Sequence, residues 1–361
     1  MKNIIILVLF LVTILSCKTL KGTSQDKLQL KYLDEYIIPE NILVDETLVG
    51  GLSGIDYANN TYYLICDDAK NPRYYKAEIK INKSKIDTIL FTSVVKFNDS
   101  SHYLDVEAIR FDVKRNNVLI TSEGSINYKK DPSFFSVNQQ GIIDHFYDIP
   151  TSLKATSKQK PRNNGTLEGL TISNDKKGYW IAMELPLEAD GPEPKVVETK
   201  SPIRITNIDA ATQKPTKQFA YLLDKIDKIP KENFAVNGLS DLLEYDKDKF
   251  IVIERSYSSG LGLQGNTIKL FDVDATNASN TLSMDGLIDT DFEPAHKELL
   301  FDFESVRSQL SNQVIDNIEG LTFGPTLSNG NRTLLLVADN NFNKLGQQFN
   351  QFILLEILDY K

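Results

Sequence analysis

Hydrophobic and polar positions in this chain alternate in a unit that occurs five times. Each unit opens on an apolar residue followed by Glu or Ser, a small or acidic residue, and Ile or Leu. The openings stand at residues 52–56, 106–110, 167–171, 239–243 and 318–322. A polar turn follows, and then a second apolar run that closes on an acid: Asp67, Glu123, Glu184, Glu254 and Asp339. From Ser53, Glu107, Glu168, Ser240 and Glu319 to these acids the spacings are 14, 16, 16, 14 and 20 residues. The intervening turns are rich in Asn, Asp and Gly, which tolerate left-handed backbone geometry and suit hairpins. Further strand-like runs follow at 74–79, 134–137, 203–206, 268–271 and 352–356. Unit starts lie 54, 61, 72 and 79 residues apart, somewhat longer than the roughly 40–50 residues of common four-stranded blades.

A small sheet cannot bury both of its faces alone, whereas radially packed sheets bury one another. The pattern therefore predicts an all-β chain folded as a β-propeller of five four-stranded blades, or six if residues 275–316 hold a degenerate one. The run at 28–33 is placed to complete the last blade beside 352–358 and close the ring. A β-sandwich is the alternative architecture, but it does not account for an acid at the same place in each unit.

Repeat symmetry gives those acids a common height around one axis. Glu107, Glu168, Glu319, Glu123, Glu184, Glu254, Asp67 and Asp339 are expected to converge on a central acidic channel. Carboxylates held so close repel unless cations neutralise them, and a hard ion with many oxygen ligands suits them. A divalent metal, calcium above all, is the expected cofactor; the other reading makes the acids solvated turn caps without metal. Composition supports a carboxylate chemistry. Of 361 residues, 41% are hydrophobic and 25% charged, the net charge is −9, and there are only three histidines and two cysteines. Soft-metal sites have few ligands to draw on, and with no basic stretch interleaved with aromatics, nucleic acid is not an expected partner.

The segments 164–173 with 182–184, and 316–324 with 336–342, resemble the phytase-like domain family, whose members carry the label "esterase-like activity of phytase". Residues 253–256 and 294–300, with Lys297, support the resemblance, which spans about 50–358. It implies a propeller that hydrolyses a small anionic ester, a phosphate ester or a related one. On that reading Glu107, Glu168, Glu184, Glu319 and Asp339 hold metal, and Glu123 or Glu254 accepts a proton. Arg162 and Arg255 bind phosphate oxygens, or else form salt bridges to neighbouring glutamates. Ser53 and Ser240 depart from the glutamate pattern. A rival reading from another class is a non-catalytic binding propeller whose acids form a calcium-stabilised hub.

Outside the repeat, Lys2 and the apolar run 4–15 read as a signal peptide over 1–16, too short for the roughly 20 residues of a spanning helix. Cys17 at its end resembles a bacterial lipobox and is the expected lipidation site, with 17–30 as tether and 31–361 as the propeller domain. This implies a monomer in the bacterial cell envelope that meets the membrane only through the N-terminal lipid. Cys66 is expected to be a buried thiol, His102 a surface residue and Trp180 an inter-blade packing residue. The string Gly260-Leu261-Gly262-Leu263-Gln264-Gly265 precedes a strand rather than a helix, so it reads as a loop and not as a dinucleotide site. The Pro-rich loop 185–202 is expected to cover the channel mouth, and the basic stretch 151–164 to draw in an anion or to be solvated. No GxSxG elbow occurs.

Overall fold

Each of the five hairpins is the inner half of a four-stranded antiparallel sheet. The computed structural model describes residues 27–99, 101–344 and 346–358; the expected signal peptide, Cys17 and most of the expected tether lie outside them. Blade one comprises Gly54–Ala58, Thr61–Cys66, Arg73–Asn82 and Lys85–Lys96, and blade two Val106–Asp112, Asn117–Ser122, Ser133–Val137 and Ile143–Phe146. Blade three comprises Leu167–Ile172, Gly178–Met183, Pro202–Asp209 and Pro215–Leu222. Blade four holds Ala235–Asp246, Lys249–Ser258, Asn266–Asp274 and His296–Asp302. Blade five runs from Ile318–Thr326 through Arg332–Ala338 and Asn350–Leu358 to the N-terminal strand Gln29–Ile38. The first strand of each blade touches the first strands of both neighbours, so the ring is complete. Residues 275–316 supply the outermost strand of blade four and 3-10 turns, so among the described residues there are five blades and no sixth.

The closing strand pairs Gln29 with Leu358 and Ile38 with Asn350. It begins two residues before position 31, and Leu28 is already buried. One end of the chain thus locks the other, which removes the open edges that an unclosed ring would expose.

The core lies between blades rather than at the axis. One cluster joins Leu119, Leu170 and Leu242 across blades two to four, and three others fill the remaining junctions. Trp180 packs edge-on against Phe250 of the next blade with ring centroids 5.3 Å apart. Fully burying such side chains is worth about 1.5–3 kcal/mol each.

Near the axis the first strands of blades five and one approach too closely for a side chain at Gly320. A Cβ on Gly320 would stand 2.7 Å from the Cα of Gly54, which explains the small residue after the marker acid. Below this level the expected channel is closed. Arg110 and Asp241, both buried, form an ion pair at 2.8 Å. Asp241 also accepts from the Leu170 and Leu321 amides, while Arg110 donates to the Ile55 carbonyl. Every blade contributes to this plug, which separates a cavity at each end of the axis.

Candidate active site

The strand starts carry the first set of acids. In four blades the inner hairpin slips register at the marker position: between Val106 and Ile109, Leu167 and Gly169, Leu239 and Asp241, and Ile318 and Gly320. A bulge leaves its extra residue unpaired and re-aims the side chain. Glu107, Glu168 and Glu319 occupy three of these bulges and line a cavity of about 980 Å³ at this end of the axis. The second set comes from the residue just past the second strand. Glu123, Glu184 and Asp339 donate their amides to Asp105, Thr166 and Asn317 carbonyls, and Asp67 donates to Gly51, so the four occupy equivalent places.

Asp67, Asp105, Glu107, Glu123, Glu168, Glu184, Glu319 and Asp339 all line the one cavity. Two triads of carboxylates, Asp67–Asp105–Glu107 and Glu107–Glu123–Glu168, each bring three oxygens within 4.8 Å of one another. This all-oxygen donor set, with Glu107 shared, fits a hard divalent ion and offers nothing that favours zinc. Room for Glu184 is made by Gly238, where a Cβ would lie 2.5 Å from the Glu184 Cγ.

Burial and mutual repulsion govern the charge state. Burial, then the Asp105 and Glu319 charges, push Asp67 up to about 8. Burial and Glu184 push Glu123 to about 8, although the Thr166 amide, 2.8 Å from its Oε1, pulls the other way. Glu184 rises to about 7, since burial outweighs the pull of Arg255. Burial and neighbouring acids also lift Glu107, Glu168 and Asp339 well above the carboxylate range. Among the described lining residues Arg255 is the single cation. Burial disfavours its charge, but Glu319, Glu184 and Glu168 outweigh that and hold it protonated. Its Nη2 donates to Glu184 Oε1 at 3.2 Å, and its Nε lies 3.4 Å from Glu319 Oε1 without a hydrogen-bond partner.

The family model described as "Phytase-like: Esterase-like activity of phytase" matches residues 47–342. The chain belongs to this family. No curated protein matches it. Among solved structures it is similar to a thermostable family-43 glycoside hydrolase, at 9% identity and a TM-score of 0.46, over 90% of this chain and 93% of that one. A member of the duf4221 family from Bacteroides vulgatus is similar at 10% identity and a TM-score of 0.38, over 92% and 98%. The GH32 β-fructofuranosidase of Bombyx mori is similar at 9% identity and a TM-score of 0.43, over 85% and 60%.

Not every residue singled out in this phytase-like chain reaches the cavity. Glu254 does not. Backbone pairing sets Leu239 opposite Glu254 and Gly238 opposite Arg255, so Arg255 holds the place that the other blades give to an acid. A strand reverses faces at each residue, and Glu254 points outward between blades. There it accepts from Lys297 at 2.5 Å, Tyr221 at 2.6 Å and Asn237 at 2.7 Å. Arg162 also lies off the site: it binds the Pro186 and Gly191 carbonyls and Glu193 at 2.7 Å, bracing the loop 185–202. That loop reaches the mouth through Leu185 and Glu193. Ser53 donates to the Glu107 carbonyl at 2.8 Å. His102 is exposed and bonded to Asp99 at 2.7 Å, and Cys66 is buried. Asp105 had no repeat signature to reveal it, because it sits one residue before its strand, where the other blades place uncharged residues.

Proposed function

We propose that the cavity hydrolyses a small anionic ester, a phosphate ester or a related one, with a divalent cation, calcium by the nature of the donors. Glu107 would hold it, with Asp67 and Asp105 on one side and Glu123 and Glu168 on the other. Such an ion, when bound, polarises an ester oxygen and lowers the pKa of a coordinated water. Arg255, the one cation among the described lining residues, binds an anionic oxygen of the substrate. Glu184, outside both triads and with its pKa raised to about 7, accepts the proton of the attacking water; a base of that strength suits neutral pH. It takes the role the sequence suggested for Glu123, which belongs to a triad and is engaged by the Thr166 amide. Glu319 and Asp339 complete the negative wall. The protein works as a monomer held at the bacterial envelope by lipid on Cys17.

The observation that carries this reading is the convergence of ten carboxylates with one arginine in a single cavity. Its test is a screen of phosphomonoesters, phosphodiesters, phytate and carboxyl esters with and without calcium. Glu184→Gln should lower kcat by about 10²–10⁴ and keep the calcium-induced rise in Tm, whereas Glu107→Gln should lose both. Absence of turnover of every ester by the calcium-loaded protein sinks the reading. A rise in Tm without turnover supports the second reading, a calcium-stabilised hub, which the burial of so many like charges favours.

A further inference from the structure

The inner hairpin of blade four is built differently from the rest. In blades two, three and five, pairing of the first two strands stops one residue short of the cavity acid, at Val106 with Ser122, Leu167 with Met183 and Ile318 with Ala338. In blade four it continues past the equivalent pair, Leu239 with Glu254, through four more pairs to Ala235 with Ser258. The extension stands above the acids as a wall. Alternation places Val236 and Tyr257 on the same face as Gly238 and Arg255, about 7 Å further along the strand. Both line the cavity, and so do Phe234 and Leu263.

These last two are large apolar side chains left 57% and 39% exposed. The Phe234 and Tyr257 rings stand 6.2 Å apart at 44°. Leu263 is presented by the glycine-rich string, whose short 3-10 turn Gly262–Gln264 is tied down by Lys228 donating to the Gln264 carbonyl at 2.8 Å. The cavity is therefore divided. One side is anionic with a single guanidinium, and the other, directly above that guanidinium, is apolar and aromatic.

We propose that this wall is the subsite for the substituent of the ester, so that the substrate is an ester with one anionic group and one apolar, aryl-sized group. The assignment rests on the hydrolase reading of the same cavity. One guanidinium matches one anionic group, and an anion seated on Arg255 directs its substituent along the strand onto Tyr257, Val236, Phe234 and Leu263. A polyphosphorylated polyol would set charges and hydroxyls against the same wall.

Phosphonates, which carry a P–C bond in place of the ester linkage, separate binding from turnover. Calorimetric titration of the calcium-loaded protein should show phenylphosphonate binding about tenfold more tightly than methylphosphonate, the effect of covering one ring's apolar area. Phe234→Ser and Leu263→Ser, both at exposed positions, should each reduce that ratio severalfold and leave methylphosphonate affinity unchanged. A ratio near one, a ratio unaffected by both variants, failure of both phosphonates to bind, or tighter binding of phytate than of phenylphosphonate overturns the proposal. The hydrolase reading fails separately: the binding ratio without turnover of any ester keeps the subsite and removes the catalysis, and turnover with a ratio near one does the reverse.

Discussion

Arg255 and Glu254 are adjacent residues on one strand with opposite surroundings. One closes the ring of cavity groups, and the other is satisfied between blades by Lys297, Tyr221, Asn237 and the Asp224 amide. Glu254→Gln should therefore cost about 1–3 kcal/mol, the scale of leaving a buried charged partner unmatched, and should change neither turnover nor the calcium response. Denaturant unfolding together with ester and calcium titrations checks this; loss of turnover at unchanged stability would return Glu254 to the chemistry. The acids of the other blades were legible because a period of spacing is visible in a string of letters. The inward member of an adjacent pair was not, since a bulge at Ser240 and the pairing of Gly238 with Arg255 set it. Asp105 escaped for a related reason: no other blade has an acid there, so only the third dimension brings it beside Asp67.

Among the elements, the inner strands are bound by something the repeat did not announce. Arg110 and Asp241 lie 131 residues apart and meet at the axis, where their hydrogen bonds reach all five blades. Removing one partner from a buried pair leaves an uncompensated charge, so Arg110→Met should destabilise by about 3–5 kcal/mol, and the double change with Asp241→Leu should recover part of that. Equilibrium unfolding of the two variants measures it, and a double variant worse than the single would show that the hydrogen bonds to the strands matter more than the charge. Hairpins and the closing strand were readable because alternation and turn residues are local signals, while the blade count stayed at five or six until residues 275–316 were seen to hold only the outer strand of blade four and 3-10 turns. The plug is a long-range pairing of two side chains, each of which looks, in its own strand, like one more polar residue of a repeat. For the same reason the expected open channel became two cavities.

At the scale of the whole molecule the cluster of raised carboxyls couples folding to pH. A carboxyl whose pKa is higher in the folded state stabilises the fold fully below its unfolded value, near 4, and loses that contribution as pH rises through the folded value. With Glu184 at about 7, Asp67 and Glu123 at about 8, and Glu107, Glu168 and Asp339 raised as well, the metal-free protein should lose stability steadily from pH 4 to 8. Saturating calcium should flatten this slope, adding about 2.7 kcal/mol at a hundredfold excess over its Kd. Thermal melts across that range with chelator and with calcium provide the check; a metal-free Tm that climbs toward pH 8 contradicts the assignment. The closing strand has one more consequence. It enters beside Leu358, at the end of the molecule away from the acids, and leaves beside Asn350, at the rim. Whatever fastens the chain ahead of Gln29 thus grips it by the foot. An attachment through the proposed lipid on Cys17 would therefore join the propeller at the face opposite the acids.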